Sequence, residues 1–259
     1  MDTMRIAVAG GTGVVGARTV EALKKAGHET VVLSRSEGVD LLAAARDTGE
    51  AHRLARTLDG CAAVVDVTSV TTMGGAASTN FFEAVTAALL TAERAAGVPH
   101  HVALSIVGAA AAPYAYYAGK AAQERIVMTS GGGWSLLRAT QFHEFAQQLA
   151  ARSRGRVKLV PAVRSQPVAA AEVGARLAEL ATGEPGGLSR DLGGPRAEDM
   201  PTLVRRYLAA TATPGRVFAV PLPGRWGRAL RDGTLLPGPE AQLGTQTFDD
   251  WLATATPTR

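Results

Sequence analysis

Residues 114–120, Tyr-Ala-Tyr-Tyr-Ala-Gly-Lys, hold three tyrosines and one lysine within seven positions. On a helix, residues four apart share a face, so the ammonium of Lys120 can lie close to the phenol of Tyr116; Tyr117, three before Lys120, could meet it as well. A cation beside a tyrosine favours the phenolate and draws its pKa down from about 10, which a phenol needs if it is to trade protons near neutral pH. The competing use of the same residues is aromatic packing between helix and sheet, with the lysine stem reaching water.

A second group able to do chemistry lies near the N-terminus. In Ala-Val-Ala-Gly-Gly-Thr-Gly-Val-Val-Gly (7–16), the run Gly11-Thr12-Gly13-Val14-Val15-Gly16 fits G-x-G-x-x-G, and Gly10, Gly13 and Gly16 fit G-x-x-G-x-x-G. Glycine permits the tight turn, lets a pyrophosphate approach the backbone and lets the helix pack on the strand. The helix start then offers free N–H groups to the anion. The run follows an apolar strand and precedes an amphipathic helix, the context that makes the pattern a dinucleotide site.

An acid ending the next strand would hold a ribose 2′-hydroxyl. Ser34, Arg35 and Ser36 stand there instead. An arginine can pair with a 2′-phosphate and the hydroxyls add donors, so the sequence favours NADP, with Glu37 keeping NAD open.

These groups must be positioned by elements, and apolar runs bounded by glycine alternate with alanine-rich helical stretches. Strands are expected over 4–10, 29–35, 61–68, 101–108 and 134–140, with a short third strand at 38–42. Helices are expected over 14–26, 50–58 and 81–96, with another ending at the triple glycine 131–133. Strands apolar throughout and alternating with helices imply a doubly wound α/β fold with a parallel sheet. After about Ala150, prolines and glycines become frequent. Short strand-like runs at 157–163 and 217–223 and helices around 171–181 and 202–210 read as a smaller substrate-capping lobe, about 151–259, on a cofactor-binding core of about 1–150. The whole is taken as one domain.

The chain has 259 residues, 46% of them hydrophobic, enough for a buried core. Its net charge is +4, but aromatics make up only 5% and the arginines are dispersed, which argues against a nucleic-acid partner. The basic run 151–158 reads as a solvated loop. The single cysteine, Cys61, excludes an intramolecular disulfide and a cysteine-based zinc cage, and no metal is expected. No window is long and apolar enough for a membrane span, and no leader pattern opens the chain, so a cytoplasmic location is expected.

With the glycine loop first, Leu-Ser-Ile-Val-Gly (104–108) near mid-chain, Tyr-Tyr-Ala-Gly-Lys (116–120) soon after and Leu-Leu-Arg-Ala-Thr-Gln-Phe-His-Glu-Phe (136–145) following, the chain resembles an atypical short-chain dehydrogenase/reductase of the NmrA-like or extended type. The resemblance implies a Rossmann-type fold and an oxidoreductase with a Y-x-x-x-K pair. Tyr116 would protonate a carbonyl oxygen, Lys120 would lower its pKa and hold the nicotinamide ribose, and Ser105, eleven positions earlier, would orient substrate. It further implies that Asp40 and Leu41 flank the adenine, and that Val67 and Thr68 lie along the adenosine. Thr140 would stand at the nicotinamide end, with Gln141, Phe142 and His143 lining a substrate pocket. His143 is an alternative acid by its ordinary pKa, against a plainer role as a solvated histidine at a helix start. The expected activity is NADPH-dependent reduction of a ketone, quinone or enone of a small apolar substrate. A non-catalytic NADP(H)-sensing regulator and a nucleotide-sugar epimerase are the rivals, and a homodimer is the assembly that the superfamily suggests.

Overall fold

A computed structural model describes residues 2–152 and 155–255. Two residues of the basic run 151–158, Ser153 and Arg154, therefore lie outside the described residues. In chain order come β1 (Arg5–Ala9), α1 (Val14–Lys25), β2 (Glu29–Leu33), α2 (Leu41–Ala44), α3 (Thr48–Thr57), β3 (Ala63–Asp66), α4 (Gly75–Ala96), β4 (His100–Ile106), α5 (Tyr116–Met128) and β5 (Gly133–Ala139). They are followed by α6 (Glu144–Arg152), β6 (Val157–Pro161), β7 (Arg164–Ser165), α7 (Ala170–Thr182), β8 (Gly187–Leu188), β9 (Leu192–Gly193), β10 (Glu198–Asp199), α8 (Met200–Ala210), β11 (Arg216–Val220), α9 (Gly224–Ala229), β12 (Gln242–Leu243) and α10 (Phe248–Ala255).

The chain divides into two compact units, Met1–Arg138 with Ala171–Ser189, and Ala139–Ala170 with Arg190–Arg259. In the first, strand order is β2-β1-β3-β4-β5, with β8 beside β5. The β1–β2, β1–β3, β3–β4 and β5–β8 pairs are parallel. This is the Rossmann-like arrangement expected of uninterrupted apolar strands, and Ile6, Val8, Val64, Val65 and Val102 are fully buried. Strand order reverses between β1 and β3, and in such sheets ligands bind outside the carboxyl ends of the strands at that point.

The short third strand expected at 38–42 does not form. Gly38 takes a left-handed φ of 79°, and Asp40 caps α2 by accepting from Leu42 N (2.9 Å) and Ala43 N (3.2 Å). Leu41 is thereby turned inward onto a core that includes Leu33, Leu54, Leu58, Val85 and Leu89. Helical turns replace the strand because capping and burial of Leu41 are satisfied together.

Helix α4 starts at Gly75, earlier than expected. Its buried residues Ser78, Phe82, Val85, Thr86, Leu89 and Leu90 recur at helical spacing, and Gly97 ends it with φ 71°. Near its other end, buried Glu93 bonds His101 of β4 at 2.8 Å. Burial opposes the charged imidazole, but Glu93 and Asp66 outweigh it, and the His101 pKa is raised above its ordinary value.

The second unit contains a parallel β6–β11 pair, an antiparallel β7–β10 pair and a parallel β9–β12 pair. Met200, Leu203 and Val204 of α8 are fully buried, and Tyr207 of α8 stacks on Trp251 of α10 with ring centroids 6.2 Å apart. Among the described residues no helix is long and apolar enough to cross a membrane.

Candidate functional site

The glycine loop joins β1 to α1. Gly10 has φ 79°, and Gly13 N donates to Gly10 O at 2.9 Å, closing the turn. A Cβ on Gly16 would stand 2.1 Å from Gly10 O, so only glycine lets α1 begin against the loop. Thr12, Gly13 and Val14 are exposed, whereas Gly11, Val15 and Gly16 are buried. Helix α1 has no side-chain cap and no acid in its first turn, which leaves its leading N–H groups and positive dipole end for an anion. A glycine-walled turn opening on an uncapped helix fits the pyrophosphate of a dinucleotide.

At the end of β2, Ser34 Oγ and Ser36 Oγ are 2.9 Å apart, and Arg35–Glu37 form one 3-10 turn. Arg35 is exposed, and among the described residues no side chain engages its guanidinium. Asp40 and Leu41, expected to flank the adenine, are the cap of α2 and a core residue. At the end of β3, Val67 N bonds Ala9 O (3.0 Å), and a Cβ on Gly10 would stand 3.0 Å from Val67 O, so this segment lies against the glycine loop. Thr68 is turned back on fully buried Asp66, donating from N at 2.9 Å and from Oγ1 at 2.6 Å.

Helix α5 opens at Tyr116, preceded by Ala115 with φ 50° and ψ −131°. For a non-glycine residue this is strained, at a cost of about 1–3 kcal/mol. The backbone at Tyr116 is held by Ser78 Oγ, which donates to Tyr116 O at 2.8 Å. The phenol meets Ser69 Oγ at 2.9 Å. Tyr117 is buried and Tyr114 exposed, so the three tyrosines have three different surroundings.

Lys120 departs from the expected ammonium–phenol contact. Its Nζ donates to Leu104 O (2.8 Å) and Gln123 Oε1 (2.9 Å) and lies 4.2 Å from the centre of the Phe82 ring. Phe82 also packs edge-on against Tyr116, with ring centroids 5.5 Å apart, so an aromatic ring touches both members of the pair. Burial pushes the phenol up to about 12, with the Ser69 bond partly opposing it. It pushes the amine down to about 8 against the favourable charges of Asp66 and Glu124. The expected depression of the tyrosine is thus reversed, because desolvation exceeds what its neighbours supply. Close packing of α5 on α4 depends on Gly119, where a Cβ would stand 2.5 Å from Ser78 O and 2.6 Å from Phe82 Cδ2.

Ser105, expected to orient substrate, is 1% exposed and donates to Glu124 Oε1 at 2.6 Å. Arg138 grips the same carboxylate from Nε (2.9 Å) and Nη2 (2.6 Å). This charge-assisted cluster occupies the hydroxyl, and the serine at the phenol is Ser69. Ser69, Phe82, Ser78, Asp66 and Gln123 were missed in the sequence. Only a polar aspartate inside the apolar run 61–68 could have marked one of them.

The remaining candidates belong to the second unit. Thr140 N bonds Leu192 O at 2.9 Å, and its hydroxyl donates to Gln166 O. Gln141 Oε1 accepts from Ser165 Oγ, and Phe142 bridges to Val168. His143 is not solvated: it is 1% exposed, its Nε2 lies 3.1 Å from Gln246 O, and Phe248 and Trp251 pack on its ring. Those aromatics belong to the closing Thr-Phe-Asp-Asp-Trp-Leu segment, which buries Phe248, Trp251 and Leu252.

Residues 10–182 match the family described as NAD(P)H-binding. No curated protein matches the chain. Several solved structures share its fold. A UDP-N-acetylglucosamine 4-epimerase from Bacillus cereus is 17% identical, with a TM-score of 0.68 over 98% of this chain and 96% of that one. An NADPH-dependent quinone oxidoreductase from Escherichia coli, complexed with NADPH, is 18% identical, with a TM-score of 0.68 over 96% of this chain and 99% of that one. A short-chain dehydrogenase/reductase superfamily protein from Agrobacterium tumefaciens with bound NAD is 19% identical, with a TM-score of 0.68 over 97% and 96%. At these identities the likeness is one of fold.

Proposed function

The chain belongs to the NAD(P)H-binding family, and from that premise we propose that it is an NADPH-dependent reductase of a carbonyl, quinone or enone in a small apolar organic substrate, with Tyr116 as proton donor. One observation carries this reading: a phenol kept protonated by burial meets the exposed Ser69 hydroxyl at 2.9 Å, just beyond the strand end that abuts the glycine loop. Gly10–Gly16 and the start of α1 would cradle the pyrophosphate, Val67 and Thr68 would run along the adenosine, and Arg35 with Ser34 and Ser36 would take the 2′-phosphate that distinguishes NADPH from NADH. Bound NADPH supplies the hydride. Tyr116 gives its proton to the substrate oxygen, and Ser69 then donates to the phenolate left behind. Lys120, whose amine burial brings down to about 8, would act on that phenolate only as a charge one turn further along α5, since its Nζ is bonded to Leu104 and Gln123.

A second reading, cofactor sensing without turnover, is favoured by the engagement of Ser105 with Glu124 and of Lys120 with Leu104 and Gln123. The two separate in one experiment: NADPH consumption by wild type and Tyr116→Phe over ketones, quinones and enones, with NADH as control. A reductase shows turnover that prefers NADPH and falls about 10²–10⁴-fold in the variant while cofactor binding is kept. Tight binding with no turnover on any acceptor supports the sensor.

A further inference from the structure

A buried polar chain runs from the end of β3 to the amine of α5. Asp66 and Gln123 are both fully buried. Asp66 Oδ1 accepts twice from Thr68, and Asp66 Oδ2 accepts from Gln123 Nε2 at 2.8 Å. Gln123 Oε1 then accepts from Lys120 Nζ at 2.9 Å. The amide can satisfy this chain in one orientation only. A carboxylate accepts and cannot donate, so it must face the NH₂, and an ammonium donates and cannot accept, so it must face the carbonyl.

We propose that Asp66 and Gln123 are positioning residues for Lys120, an arm that fixes the amine on the Leu104 carbonyl and ties it to segment 67–69, whose Ser69 holds the phenol of Tyr116. The inference rests on the reductase reading for its effect on turnover, but not for its effect on the amine. One strand end thus reaches both members of the pair, Tyr116 through Ser69 and Lys120 through Asp66 and Gln123. Other groups bear on the amine or on the arm. From α5 itself come Glu124, neutralised by Arg138 of β5, and Tyr116, which feels the Asp66 charge; from α4 comes the Phe82 ring; and from β4 comes His101, which also feels the Asp66 charge and is bonded to Glu93 of α4. Among the carboxylates that act on the amine, Asp66 is the one reached through a hydrogen-bonded amide and Glu124 is occupied by a guanidinium.

The chain has four lysines, Lys24, Lys25, Lys120 and Lys158, so the amine can be followed by NMR of protein labelled at the lysine side chain, with Lys120→Met assigning the signal. In Asp66→Asn a single carbonyl must serve both Thr68 and Gln123, and the anion is gone. The Lys120 amine should then titrate about one pH unit lower than in wild type, the scale on which an opposite charge acts. In turnover the alkaline limb of kcat should move with it, with kcat down about tenfold and the cofactor KM within about twofold. Gln123→Met, which removes the amide without burying a new charge, repeats the test in a second background. An amine that titrates unchanged in both folded variants overturns the arm. A wild type that turns over no acceptor would refute the reductase reading alone, because the titration still decides the arm.

Discussion

Burial moves the two ionisable groups of the Tyr116–Lys120 pair in opposite directions, the phenol up to about 12 and the amine down to about 8. Both shifts favour the neutral form, so at neutral pH Tyr116 keeps its proton, as the proposed acid must. Lys120 is the group that titrates close to neutrality. Because its pKa is lowered on folding, the charged amine works against the fold. That penalty is complete below about 8, shrinks as pH rises and vanishes above the ordinary value of 10.5. Wild-type stability should therefore gain from Lys120 between about pH 8 and 10, a share on the order of 3 kcal/mol if the whole window to 10.5 could be used. Above about 10 the raised pKa of Tyr116 acts the other way, since the unfolded chain then gives up a proton that the folded chain holds. Denaturant titrations across this range should show the rise in wild type and lose it in Lys120→Met. At the end of β2, Arg35→Ser should weaken NADPH about 10–100-fold, the worth of a charge-assisted hydrogen bond, and leave NADH within twofold. Equal loss of both cofactors would contradict the assignment of Arg35 to the 2′-phosphate.

At the scale of elements, the pair owes its position to the contact of α5 with α4. Gly119→Ala places a Cβ 2.5 Å from Ser78 O and 2.6 Å from Phe82 Cδ2. The helices must separate, costing about 1–3 kcal/mol. Phe82 leaves Tyr116 and Lys120 together, so turnover should fall further than cofactor affinity; thermal melts beside kcat and Kd would check both. Apolar runs made most elements legible in the sequence, because a strand buried on both faces must be apolar along its length, as Val64 and Val65 are. The stretch 38–42 reads as a strand because Val39, Leu41 and Leu42 are apolar, whereas Asp40 in its middle acts as a helix cap. The start of α4 was hidden by the small residues Gly75, Ala76, Ala77 and Ser78, which carry little apolar signal. The turn of the glycine loop was legible because its closure at Gly10–Gly13 and the close approach of α1 at Gly16 constrain backbone spacing within one segment. The contacts of Phe82, Ser69, Asp66 and Gln123 were not, since they join segments 47 residues apart for Ser69 with Tyr116 and 57 for Asp66 with Gln123, a separation that no local pattern encodes.

At the scale of the molecule, every group of the proposed cofactor loop and acid pair lies in the first unit, which carries the NAD(P)H-binding family match through most of its length. The fold alone serves epimerases and a quinone oxidoreductase among solved structures, so the reaction must be settled on this chain itself. The most direct measurement follows the hydride: NADPH deuterated at the nicotinamide C4, one enantiotopic position at a time, is incubated with wild type and the acceptor panel, and products are read by mass spectrometry. Deuterium from one of the two positions should leave the NADP+ formed in step with NADPH consumed, staying on carbon in a ketone or enone product and passing to an exchangeable O–H in a hydroquinone, and Tyr116→Phe should slow that transfer about 10²–10⁴-fold with NADPH still bound. Bound NADPH that surrenders no label to any acceptor, or a variant that transfers it at the wild-type rate, would contradict a Tyr116-dependent reductase.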